Sequence, residues 1–129
     1  MKLLPGALEA LSLCQTYNLP TALITNGPED MQRAAVRAVG LEDYFQIILI
    51  SGDPDVGVRK PHPRIFGLAC EALSSRPAET LMVGDDLEAD VRGALQYGMQ
   101  TVHLGAGAGP GYETVADVQA FGMWLKARI

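Results

Sequence analysis

The sequence predicts an α/β fold in which a parallel sheet is covered by helices on both faces. Three observations carry that expectation. Four short runs, Thr21–Thr25, Ile47–Ile50, Thr80–Val83 and Thr101–Leu104, are mostly apolar, the pattern of strands buried on both sides rather than on one. Stretches with apolar residues at helical spacing separate consecutive runs, the alternation that builds parallel sheets. Glycine, proline and asparagine cluster at the boundaries, where turns are needed.

Taken in order, Leu4, Leu8, Leu11 and Cys14 recur at helical spacing after Pro5-Gly6, and Asn18-Leu19-Pro20 ends that helix. The strand Thr21–Thr25 breaks at Asn26-Gly27-Pro28. The next helix places Met31, Ala34, Ala35, Ala38 and Val39 on one face. Pro28 suits its first turn, Glu29 and Asp30 suit the positive end of its dipole, and Gly40 suits its stop. After Ile47–Ile50 comes a loop rich in Gly, Pro and Asp from Ser51 to Pro61. Pro63 opens a helix with Phe66, Ala69, Cys70 and Leu73 facing inward, and Pro77 leads into Thr80–Val83. Leu87, Val91, Ala94 and Leu95 mark a further helix stopped by Gly98. The strand Thr101–Leu104 follows, then a glycine-rich loop from Gly105 to Gly111, read as flexible, and a last helix near Val118–Ala127.

Composition narrows the function classes. With 129 residues the chain is a single domain that buries a core without disulfides or structural zinc. Its net charge of −5 argues against nucleic acid as a partner, because phosphate backbones call for a basic face. The longest uninterrupted apolar stretch is Ile47–Ile50, so no segment spans a bilayer. The opening MKLLPGALEALSLC suggests a signal peptide only superficially, since Pro5, Gly6 and Glu9 interrupt it. Cys14 and Cys70 fall on apolar helical positions, and free buried thiols suit a reducing compartment. The expectation is an acidic cytoplasmic domain.

In open parallel sheets, ligands bind at the carboxyl ends of the strands. Those ends carry Thr25, Asn26 and Gly27 after the first strand, and Gly84, Asp85 and Asp86 after the third. The loop after the second strand leads to Arg59-Lys60-Pro61. A hydroxyl and amide, a cation and a carboxylate cluster together suggest a phosphate-and-metal site. Asp85, Asp86, Glu88 and Asp90 are four carboxylates within six residues. Such a cluster repels itself unless a hard cation such as magnesium relieves it, although an acidic first turn capping a solvated helix reads equally well. Thr25-Asn26-Gly27 also fits plain turn chemistry, and a lysine before a proline is ordinary on a surface loop. His62 and His103 lack a partner at ligand spacing, so both read as structural; the cysteines read as core fillers. The glycine-rich loop lacks GxxxxGK[ST] and is no phosphate loop.

Taken together and in this order, LITNG, VRKPHPRIF and MVGDDLEADV resemble the second, third and fourth motifs of the haloacid dehalogenase-like hydrolases, most of which are magnesium-dependent phosphatases. GLEDYF and ALQYGMQTV resemble the subfamily whose cap precedes the second motif. The resemblance covers nearly the whole chain and implies a three-layer, Rossmann-like core. It implies that Thr25 hydrogen-bonds a phosphoryl oxygen, that Asn26 and Gly27 help cradle it, and that Lys60 offsets charge on phosphoryl group and nucleophile. Asp85 would bind Mg2+ directly or through water with Asp86 beside it, while Asp90 would orient Lys60. The implied substrate is a small phosphorylated metabolite.

One motif of the family has no counterpart. The first motif, DxDx[TV], follows a strand near the N-terminus and supplies the nucleophile and the general acid/base. No such strand or aspartate pair precedes Thr25 here. Asp53-Pro54-Asp55-Val56 has matching letters but lies in the loop between the second and third motifs, and reads as a decoy. The resemblance therefore implies the C-terminal part of a fuller enzyme, or a product begun at an internal methionine, that does not turn over alone. It further implies a sheet lacking its central strand, so Thr21–Thr25 and Thr80–Val83 either close on each other or leave a gap for a partner segment, a homo-oligomer or an exchanged strand. One helix, one strand and a loop fill the interval from Asn26 to Lys60, leaving no room for a cap. The alternatives are a non-catalytic phosphate-, magnesium- or protein-binding module, and a receiver domain. A receiver places its acidic pair and phosphorylated aspartate before Thr and Lys, the reverse of the order here.

Overall fold

A left-handed Gly6, with φ +87°, starts the described chain on its first helix. A side chain there would collide with the Gln119 backbone, so this glycine lets two helices approach closely. The computed structural model describes residues 5–129; Leu4, expected on the first helical face, lies outside them. The helices are α1 (Ala7–Thr16), α2 (Glu29–Ala38), α3 (Pro63–Ala72), α4 (Gly93–Tyr97) and α5 (Val118–Lys126). The strands are β1 (Ala22–Thr25), β2 (Ile47–Ile50), β3 (Leu81–Gly84), β4 (Gln100–Leu104) and β5 (Glu113–Val115). Among the described residues, no helix is long and apolar enough to cross a membrane.

The boundaries follow local chemistry. Asn18 in the left-handed region closes α1, with Leu19 N–H donating to Cys14 O. Gly40, at φ +71°, closes α2 as Leu41 N–H returns to Val36 O and both side chains bury. His62 caps α3, its Nδ1 accepting from Arg64 N–H, and Asp117 caps α5 through Ala120 N–H. Ile65, absent from the expected inner face of α3, is fully buried beside Phe66.

Two elements depart from expectation. The helix expected from Leu87 begins as a π-helical turn, Leu87–Arg92, before α4. Asp86 O accepts from both Asp90 N–H and Val91 N–H, and that wide turn swings Asp90 inward. The stretch after Gly111 contains β5, a fifth strand that no apolar run announces. Glu113-Thr114-Val115 becomes a strand only because β4 offers it a parallel edge. Within the preceding glycine-rich segment, Gly109 and Tyr112 form an antiparallel bridge.

All strand pairs are parallel, but they form two sheets, β1-β2 and β3-β4-β5. Of the two outcomes expected for Thr21–Thr25 and Thr80–Val83, closure on each other does not occur. Thr25 O accepts from Ser51 N–H on the β2 side and Thr80 O from Gln100 N–H on the β4 side. Backbone alternation then turns the peptide groups of Ala22 and Ile24 away from β2, and those of Leu81 and Val83 away from β4. These four residues are only half buried, as for strand edges. Helices α3 and α4 tie the sheets together on one face, where Ile65 and Phe66 pack with Leu49 and Met82. On the other face α1 and α5 cover β3, β4 and β5 through Ala10, Phe121, Leu125 and Val102.

Candidate active site

Lys60 is the hinge of the site. Its backbone is clamped by the Asn26 side chain, whose Oδ1 accepts from Lys60 N–H (2.9 Å) while Nδ2 donates to Lys60 O (3.3 Å). From there the side chain runs between the two sheets. Nζ donates to Ile24 O at 3.1 Å and lies 2.7 Å from Asp90 Oδ1. The Lys60 and Asp90 side chains are only 12% and 6% exposed, so each charge is stabilised chiefly by the other. Asp90 is steadied in turn by Asp86 N–H, which donates to its Oδ2 at 3.2 Å. Gly84 makes room for this arrangement: a Cβ there would fall on the Asp90 carboxylate.

The other carboxylates of the cluster divide by role. Asp86 Oδ1 accepts from Glu88 N–H (3.0 Å) and Ala89 N–H (2.8 Å), capping the π-helical turn. The Ala89 N–H, then the Glu88 N–H and the Lys60 charge, hold its carboxyl below the ordinary aspartate value. Glu88 pairs with Arg92 at the surface. Asp85 is exposed, and among the described residues its carboxylate has no hydrogen bond or ion pair. Its carbonyl O meets Nε2 of the buried His103 at 3.2 Å, joining β4 to the loop after β3. Asp53 Oδ2 pairs with Arg33 Nη2 at 3.0 Å and its Oδ1 caps Asp55 N–H, so the Asp53-x-Asp55 stretch is structural.

The residues after β1 already have partners. Thr25 Oγ1 donates to Gln32 Oε1 at 3.2 Å, and Gly27 N–H donates to Ser51 Oγ at 2.8 Å. With its amide holding Lys60, Asn26 supports the site through position. Ser51 and Gln32 were not foreseen, while His103, read as structural, supports the loop after β3. Ser51 directly follows an apolar run, so strand-end logic extends to it; Gln32 on a helix and His103 inside a strand carry no such signal.

The donor set has a limited fit to magnesium. Among the described residues no group of three or more His, Cys, Asp or Glu could hold a metal ion. Asp85 offers a free carboxylate and Asp86 an exposed one, which suits an ion held by one or two carboxylates, waters and a ligand phosphate.

Comparison with known proteins identifies the family. The family model of haloacid dehalogenase-like hydrolases matches residues 1–98. The phosphoserine phosphatase of Thermus thermophilus is 41% identical over 108 residues, covering 84% of this chain and 43% of the relative. The ribulose-1,5-bisphosphate 5-phosphatase of Halopiger xanaduensis is 40% identical over 102 residues, covering 79% of this chain and 42% of the relative. The chain thus spans less than half the length of these curated relatives. A HAD phosphatase of Thermococcus onnurineus superposes with a TM-score of 0.85 at 28% identity, over 98% of this chain and 58% of that one. YfnB of Bacillus subtilis, solved bound to magnesium, gives 0.83 at 25% identity, over 96% and 56%. The chain belongs to the haloacid dehalogenase-like hydrolases, and within them it is similar to phosphatases.

Proposed function

We propose that this chain forms the phosphate- and magnesium-binding part of a phosphomonoester hydrolase. The observation that carries the reading is the nearly buried Lys60 Nζ, held between Ile24 O of β1 and Asp90 Oδ1, whose carboxylate packs on Gly84 at the end of β3. Phosphoryl transfer relies on positioning and charge stabilisation, and a preorganised cation in a site of low polarity supplies both. Lys60 offsets phosphoryl charge. Thr25 donates to a phosphoryl oxygen by turning its hydroxyl from Gln32, with the Asn26-Gly27 turn setting its position. Asp85, with Asp86 beside it, would hold magnesium, which when bound neutralises phosphate charge.

On this reading the nucleophile comes from outside the described residues. Among the described residues Asp90 is paired to Lys60, Asp86 caps a helix and Asp53 is paired to Arg33. We read the open edges of β1 and β3 as the place where an extended segment, from a longer polypeptide or an exchanged strand, brings an aspartate to Lys60. On this reading the chain alone binds phosphate and does not turn over.

Isothermal titration with inorganic phosphate, with and without magnesium, tests the reading, alongside hydrolysis of an aryl phosphate. Binding that magnesium strengthens and that Asp85→Asn weakens is expected, with no hydrolysis by the chain alone. Phosphate affinity indifferent to both would overturn the site. Hydrolysis that appears when an aspartate-bearing apolar strand is joined to the chain favours the enzyme over a non-catalytic module.

A further inference from the structure

Next to the Lys60 site, at the carboxyl ends of β1 and β2, lies an open cleft of about 500 Å3. Asn26, Gly27, Ser51, Gly52, Val58 and Arg59 line it, and none of its lining residues is acidic. Arg59 is the one cation among them. Its side chain is exposed and makes no ion pair with the described residues; Arg33, Arg37, Arg76, Arg92 and Arg128 each have a carboxylate partner, and Arg64 Nε is held by Val56 O. Its backbone is nevertheless fixed. Arg59 O accepts from His62 N–H at 2.9 Å, and the next residue is Lys60, clamped by Asn26 on both sides. In the same loop, Asp53 is neutralised by Arg33.

From this placement we infer that Arg59 forms a second anion subsite, which takes a carboxylate or second phosphate on the leaving group of a doubly anionic phosphomonoester. The inference rests on the phosphatase reading for the first subsite. Lys60 and Arg59 are adjacent in the chain but serve different spaces, the lysine between β1 and β3 and the arginine over β1 and β2. Asn26 borders both, so a ligand whose phosphate sits at Lys60 extends into the cleft past a shared wall. Gly27 and Gly52 let the loops that border the cleft pack closely, since a Cβ at Gly27 would meet Gln32 and one at Gly52 the Gly27–Glu29 backbone. A guanidinium suits this task because its planar fork grips a carboxylate or phosphate with two parallel hydrogen bonds.

Four probes test the subsite by isothermal titration against the chain in magnesium: inorganic phosphate, propyl phosphate, 3-carboxypropyl phosphate and propane-1,3-diol bisphosphate. The expected result is that a charged tail binds about tenfold or more tightly than the propyl tail, the effect of one charge-assisted contact. Arg59→Met abolishes that preference and leaves inorganic phosphate affinity unchanged, while Arg59→Lys retains part of it. The larger of the two gains identifies the second anion as carboxylate or phosphate. A preference that survives Arg59→Met, or no preference in the unmodified chain, overturns the subsite alone. Failure of inorganic phosphate to bind either protein overturns the phosphatase reading on which it stands.

Discussion

Lys60 and Asp90 show why single residues matter disproportionately here. Both are nearly buried, so removing one leaves the other as an uncompensated charge. Lys60→Met is expected to cost about 3–5 kcal/mol in denaturant unfolding, and adding Asp90→Asn should recover a substantial part, because the orphaned carboxylate disappears. Asp86 makes a separate claim, on acid stability. Its folded carboxyl titrates below the ordinary value of 3.8, chiefly through the Ala89 N–H. The folded state therefore binds that proton less readily than the unfolded chain, and the resulting stability is fully present above the ordinary aspartate range. It drains away as pH falls through 3.8 toward the lowered value. Asp86→Asn keeps an acceptor for the cap but removes the titration, so its melting temperature should fall less steeply between about pH 5 and about pH 2. At this scale the sequence was informative where strand-end logic applied: Thr25, Lys60 and Asp85 all stand where apolar runs lead. Beyond the Lys60–Asp90 pair that the resemblance implied, it was silent on hydrogen-bond partners. Nothing in the letters says that Asn26 holds a backbone 34 residues away, or that His103 supports Asp85.

Elements place those residues, and the π-helical turn is the decisive one. A regular helix from Leu87 would be the default, yet Asp86 O gathers two N–H donors and widens the turn, bringing Asp90 to Lys60. Gly84 is the other half of the device, because only a residue without Cβ leaves space for the Asp90 carboxylate. Gly84→Ala is expected to destabilise the fold by about 1–3 kcal/mol through overpacking. It should also weaken phosphate binding by displacing Asp90 from Lys60, an effect that titration separates from the loss of stability. Capping prolines and the Gly40 stop made the bounds of α2 and the start of α3 legible, but not the buried face of α2: Val36 is buried there, whereas Met31, Ala34 and Ala38 of the expected face are exposed. The π-helical turn was hidden because the residue pattern from Leu87 is that of an ordinary helix and does not show Asp86 O taking two donors. Strand β5 was hidden because three residues, one of them Glu113, carry no apolar pattern and depend on the edge of β4.

Over the whole molecule, the central feature is a pair of parallel sheets whose β1 and β3 edges stay unpaired among the described residues. Such edges are templates for another extended segment. Ala22 offers a clean way to block one of them. Its N–H faces away from β2 at the first position of the strand, so Ala22→Pro deletes only the donor on the open side. That variant should fold with an unchanged circular dichroism spectrum yet lose affinity for an added apolar, aspartate-terminated peptide that binds the unmodified chain. Equal binding by both proteins would place the peptide elsewhere, and concentration-dependent dimerisation in sedimentation would identify a second copy as the occupant.

By itself, the sequence determined the α/β class, the order of the four apolar strands and the family, through motifs that stand at strand ends. Apolar period and turn chemistry are local properties, written in neighbouring residues. Only the tertiary structure decided that β1 and β3 remain apart, that Asn26 clamps the Lys60 backbone, and that Arg59 is left without a carboxylate. Those outcomes depend on which groups meet after the chain has closed on itself, and hydrogen-bond partners and buried charges are settled by that meeting.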